Sequence, residues 1–235
     1  MLVFCGCARG GSASGDGGDG GITGPRSDAA VTDARPAPRP DAAAPPLDAP
    51  PPPPPPPPDA CVPVTTQLLV NPELDQTPQG TGWAEQVIKS GYPVITPQDS
   101  TVGPSEHTAP YKAWLGGFTG ANVGDVLYQD VAIPPATTAL VLTGFHDVRT
   151  DETTGSTAYD TASVTLTQTS GTPIATILSA SNLTPRTGWT PFQHAFTQDL
   201  SGQTVRLRFA SRNDGARPTS FYFDTLALTA THGCP

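Results

Sequence analysis

Thr204-Val-Arg-Leu-Arg-Phe-Ala-Ser-Arg212 sets Val205, Leu207 and Phe209 at every second position, with Arg206 and Arg208 between them. A period of two is that of a β-strand, whose successive side chains leave opposite faces, so this run reads as a strand with one apolar and one charged face. The same phase recurs upstream. In Leu127-Tyr-Gln-Asp-Val-Ala-Ile133 the odd positions point inward and Gln129 interrupts them; Ala162, Val164 and Leu166 point inward in a third run, with Tyr159, Thr161, Ser163 and Thr165 on the opposite phase.

Similar short segments fill the chain from Val62 to Thr231. They are Gln67 to Val70, Tyr111 to Leu115, Asp125 to Ile133, Ala139 to Val148, Ala158 to Thr167, Pro173 to Leu178, Phe192 to Thr197, Thr204 to Arg212 and Ser220 to Thr229. Gly, Pro, Asn and Asp clusters separate them, and no long run has helical period. Short strands at this spacing predict an all-β, antiparallel sandwich of the jelly-roll kind.

The residues before Cys61 are of another kind. Positions 8–60 are almost wholly Gly, Ala, Pro, Asp, Ser and Arg, with no aromatic residue and an unbroken run Pro50 to Pro58. Such a composition has too little apolar surface to offset the entropy of folding, so a disordered, proline-rich linker is expected there. A flexible Gly-rich part followed by a stiff polyproline part suits a stalk. The division expected is therefore 1–7, 8–60 and 61–235.

The formal net charge is −9, and seven Asp against four Arg lie before Cys61, so most of that charge stays with the folded region. Nucleic acid and anionic lipid are poor partners for such a surface. No stretch approaches the ~20 apolar residues that a membrane-spanning helix needs.

Cys61 and Cys234 bracket the folded region. First and last strands of a sandwich often run side by side, which makes a Cys61 to Cys234 disulfide geometrically reasonable; the alternative is two surface thiols. The opening Met-Leu-Val-Phe-Cys-Gly-Cys-Ala resembles the end of a bacterial lipoprotein signal, with Gly6 before Cys7 as the lipidation site. That resemblance implies an exported lipoprotein of the outer membrane or cell surface, touching the membrane through its lipid alone.

Asn71-Pro-Glu-Leu-Asp75 with Gly82-Trp83, then Ala113-Trp-Leu-Gly-Gly117, then Leu127-Tyr-Gln129 with Ile133-Pro134, and finally Phe221-Tyr-Phe-Asp-Thr-Leu226 occur in a telling order. The set resembles the galactose-binding-like jelly rolls, which include carbohydrate-binding modules, across nearly all of residues 67–229. The resemblance implies a structural calcium where the first strand meets the last, held by Asp75, Asp224 and carbonyls near His107 to Pro110. It departs from the pattern at Thr225, where a second acidic residue is common.

The four histidines lie in separate segments and no nucleophile motif is present, so a non-enzymatic, monomeric binding module is expected. The ligand expected is a glycan or envelope component, met by Trp114, Tyr128, Tyr159, Arg206 and Arg208; the alternative is a structural or protein-interaction module with no sugar ligand. The carboxylates Asp147, Asp151, Glu152 and Asp160 gather around a Thr/Gly-rich stretch, where solubility or cation binding is the usual role.

Overall fold

The computed structural model describes residues 61–97, 103–120, 124–153, 155–184 and 187–233. Cys7, the linker 8–60 and Cys234 lie outside them. The described residues form eleven strands: β1 Val64–Gln67, β2 Ala84–Gln86, β3 Ile95–Pro97, β4 Tyr111–Gly116, β5 Val126–Ala132, β6 Ala139–Thr150, β7 Thr161–Gln168, β8 Pro173–Ser181, β9 Thr190–Phe196, β10 Thr204–Arg212 and β11 Thr219–His232.

They make the expected sandwich. One sheet runs β3-β4-β11-β6-β9 with β1 also on β11, the other β2-β5-β10-β7-β8, and the pairings are antiparallel. β11 organises the first sheet. Along one edge it pairs with β6 from Thr219 to Thr231; along the other it pairs first with β4 and later with β1. First and last strands thus run side by side, and Cys61 Sγ lies 2.7 Å from the carbonyl oxygen of Gly233.

Alternation places the core where the period of two predicts. Val205, Leu207 and Phe209 of β10, Leu127 and Val131 of β5, and Val164 and Leu166 of β7 are buried between the sheets. Phe209 meets Phe223 of the opposite sheet at 5.0 Å between ring centroids and Trp83 at 6.0 Å. Gln129 keeps the inward phase because every polar end is met: its Oε1 accepts from Val70 N at 2.8 Å, and its Nε2 donates to the carbonyls of Val70 and Gly82. A buried amide so satisfied costs little and fixes the β1 to β2 connection onto β5.

Three local readings are corrected. The first strand is Val64–Gln67 rather than Gln67 to Val70, because β11 offers its ladder there and Gln67 turns its Oε1 back onto Leu69 N and Leu228 N. β2 and β3 had no sequence signal, being three residues each at sheet edges. Tyr159 does not belong to β7; it lies in the loop before it, its N–H held by Asn182 Oδ1 at 2.9 Å.

Phe209 is fully buried at the contact of the two sheets. Phe209→Ala is expected to cost about 3–5 kcal/mol, read as a lower urea midpoint with an unchanged slope. An unaltered midpoint would mean that the ring does not carry the inter-sheet contact.

Candidate ligand-binding cleft

The outward phase of the first sheet is the unusual surface of this domain. Register sets Trp114 of β4 opposite Tyr222 of β11, and Tyr222 opposite Asp147 of β6; one step on, Ser220 stands between Gly116 and Arg149. These side chains leave the face away from the core, yet Tyr222 is 1% exposed and Asp147 2%. Gly103 lies against Tyr222: a Cβ there would collide with the Tyr222 hydroxyl, so only glycine fits. What stays open is a cleft of about 310 Å³ lined by Gly103, Gly117, Arg149, Asp151, Ser220 and Tyr222, with Pro218 at its rim.

Aromatic rings extend the cleft toward the β3 edge. Trp114 stacks over Tyr222 at 6.5 Å and 17°, Phe118 lies 5.4 Å from Trp114, and the half-exposed Tyr92 meets Phe118 at 5.2 Å. Lys89 Nζ caps this row, 4.6 Å from the Tyr92 ring centre. Trp114 is oriented by its own Nε1, which donates to Ser220 Oγ at 3.0 Å. Gly117, at φ +77°, leaves the space the indole needs; a Cβ there would stand 2.6 Å from Trp114 Cζ2.

The polar half of the cleft is built by two residues on one phase of β6. Arg149 donates from Nε and Nη2 to Asp147 Oδ2, at 3.0 and 2.6 Å. Asp147 Oδ1 is buried without a hydrogen-bond partner among the described residues. A buried carboxylate oxygen with no donor is costly, and the two bonds from Arg149 to the other oxygen offset part of that cost. Arg149 keeps about half of its side chain in solvent.

Of the five binding residues expected from sequence, only Trp114 is here. Tyr128, Arg206 and Arg208 lie on the outer face of the other sheet. There Arg206 is spent on Asp130, with Nε and Nη2 at 2.7 and 2.9 Å from its carboxylate, while its guanidinium lies 4.1 Å from the Tyr128 ring centre. The hydrogen bonds from Arg206 hold the Asp130 carboxyl below its usual range, and burial lowers that of the Arg208 guanidinium. Tyr159 is apart again: β7 starts two residues later at Thr161, which faces Arg212, four positions along β10 from Arg208. Tyr128, Arg206 and Arg208 thus share one face, while Trp114 lies on the other sheet and Tyr159 in a loop.

At the junction of first and last strands the acids face donors. Asp224, 0% exposed, accepts from His107 N and Thr108 N on Oδ2 (2.8 and 3.0 Å) and from Thr225 N on Oδ1 (2.6 Å). The Thr108 hydroxyl, shared with Glu73, also reaches Oδ1, and Asp75 Oδ1 accepts from Tyr111 N at 3.2 Å. Burial pushes the Asp224 carboxyl up to about 6 against these donors. Calcium needs a shell of six to eight oxygens; here N–H groups occupy the positions around Asp224, so this donor set does not fit the ion. The carboxylate instead ties the 107–108 segment directly onto β11.

No protein-family model matches the chain, and no curated protein matches its sequence. Solved structures similar to it include TmCBM61 in complex with beta-1,4-galactotriose (TM-score 0.46, 11% identity, 69% of this chain and 97% of that one). Another is the Family 16 Carbohydrate Binding Module-2 (TM-score 0.42, 20% identity, 68% and 98%). A third is a cyclase from Fischerella sp. TAU (TM-score 0.45, 12% identity, 73% and 100%).

Asp224→Asn replaces an acceptor with an NH₂ that faces backbone N–H groups. It is expected to lower stability by about 1–3 kcal/mol or more, seen as a lower melting temperature. A variant as stable as the parent would show that the carboxylate does not hold the 107–108 segment.

Proposed function

We propose that this domain is a non-catalytic carbohydrate-binding module, exported and displayed at the cell surface, and that it takes its glycan in the cleft over β4, β11 and β6. The observation that carries this reading is the row of aromatic rings from Trp114 to Tyr92 beside a cleft that Arg149, Ser220 and Tyr222 line. A sugar ring has an apolar C–H face and a rim of hydroxyls. The row formed by Trp114, Phe118 and Tyr92 supports the C–H face by stacking, and the solvent side of Arg149, held in place by Asp147, serves hydroxyls as a donor.

In this reading the lipid on Cys7 attaches the chain to the envelope and residues 8–60 separate the domain from it. A disulfide between Cys61 and Cys234 closes the folded region beside the β1 to β11 pairing; the contact of Cys61 Sγ with the residue before Cys234 supports it. Loss of a free-thiol signal without reductant, and its gain with reductant, is the direct check.

A glycan array probed with the intact chain tests the function. Trp114→Ala is expected to lower affinity for the bound sugar by at least about tenfold, the effect of losing roughly 1.4 kcal/mol, while Arg206→Ala leaves it unchanged. Loss confined to Arg206→Ala or Tyr128→Ala would move the site to the other sheet. Absence of binding to any glycan by a folded sample would favour a protein-interaction module.

A further inference from the structure

The end of the sandwich beyond β7 and β10 holds buried oxygens that no donor meets. The β7 to β10 register runs to Thr161 opposite Arg212, so Asp160 and Asn213 are the next facing positions. The backbone confirms it, Asp214 N donating to Asp160 Oδ1 at 2.8 Å. Asp160 is 0% exposed and Asn213 1%, on the phase that points between the sheets. Asp160 Oδ2 and Asn213 Oδ1 are both buried without a hydrogen-bond partner.

Neither atom can be relieved by a simple turn. Asn213 Nδ2 donates to Thr219 O at 3.1 Å, which fixes Oδ1 on the other side, and Asp160 Oδ1 is already held by Asp214. The Arg149–Asp147 and Arg206–Asp130 ion pairs involve other carboxylates. A carboxylate buried without a counter-charge is strongly disfavoured. Both unmet atoms are acceptors, one of them charged, and acceptors are met by a cation or by water.

Neighbouring groups narrow the choice. Asp125 is buried nearby, its N–H on Ser211 Oγ, but its own carboxylate is filled by Ile88 N and Gly116 N. The Thr219 hydroxyl donates to Thr150 Oγ1, which also accepts from Glu152 N, so these two hydroxyls are already engaged. A Cβ at Gly116 would stand 2.9 Å from Asn213 Oδ1; glycine leaves that space open. No group of three or more His, Cys, Asp or Glu able to hold a metal occurs among the described residues. One carboxylate oxygen with one amide oxygen is a hard, low-charge pair that suits calcium held weakly with water, and not zinc.

We infer that Asp160 and Asn213 form a calcium site between the β6 to β7 and β10 to β11 connections, distinct from the Asp75 and Asp224 junction. Few charged ligands put its affinity in the range of extracellular modules, about 10⁻⁴–10⁻³ M. The two connections it would join also meet through Asp151 N and Pro218 O at 3.1 Å, and both residues border the cleft. Calcium would therefore firm one wall of that cleft, whatever the cleft binds.

Thermal unfolding of the intact chain in EDTA and in 5 mM CaCl₂, beside titration calorimetry with CaCl₂ alone, tests the site. Calcium at that excess is expected to raise the melting temperature by on the order of 3 °C. The rise should vanish in Asp160→Asn and persist in Asp75→Asn. Asn213→Asp adds a charged ligand and should tighten calcium binding by about tenfold, so the site can be judged even if Asp160→Asn folds poorly. No dependence on calcium in the parent would mean that water meets these oxygens, and would overturn the inference. So would a rise that survives Asp160→Asn, or one lost only in Asp75→Asn.

Discussion

The pairing of β11 with three other strands is the constraint from which the rest of the domain follows. A 14-residue strand is long for a domain of this size, and this one has β6 along one edge while β4 and β1 share the other. So long a ladder cannot stay straight under the twist of a sandwich. It breaks register between Asp224 and Ala227, with Thr225 at φ +51° and Leu226 N turned onto Pro72 O. The bulge falls where the neighbouring edge changes from β4 to β1. It also presents the Asp224 carboxylate to the 107–108 segment, which then runs back over the sheet.

That return path makes the cleft. Were the 107–108 segment not tied to β11, the outward face of Tyr222 and Asp147 would be an ordinary solvated surface. With it tied, His107 stacks on Phe145 at 3.8 Å and Trp189 donates to Ser105 O, so half of the face is roofed and the half beside Trp114 and Arg149 stays open. Asp147 is buried on that face, which gives its unpaired oxygen energetic weight, since a lone pair left in water costs nothing. The cover over one end of β11 thus depends on a hydrogen-bonded clamp at its middle.

The sandwich was legible in the sequence because period two survives wherever a strand has one wet face. Val205, Leu207 and Phe209 announce both strand and orientation, and Leu127 with Val131 does the same despite Gln129. β2 and β3 were illegible, since three residues hold no period and their strandedness comes from the edges of β5 and β4. The outward phase of Arg206 and Tyr128 was also legible. Their satisfaction was not: Asp130 faces Arg206 only through the β5 to β10 register, which no local pattern contains. For the same reason Trp114 could be picked out while Asp147, Arg149 and Ser220 could not be joined to it, because β4, β11 and β6 are far apart in the chain. That Asp224 and Asp75 would each face backbone N–H donors is a detail of backbone direction that residue types do not carry.

Native-state hydrogen exchange of the His107 and Thr108 amides tests this dependence most directly. If the Asp224 clamp is what roofs the sheet, both amides exchange slowly, near the rate set by global unfolding and close to that of the β11 core amides such as Phe223. Exchange at the fast rate of an open loop, with β11 itself protected, would contradict the account, since the segment would then lie loose over a face that needs no roof.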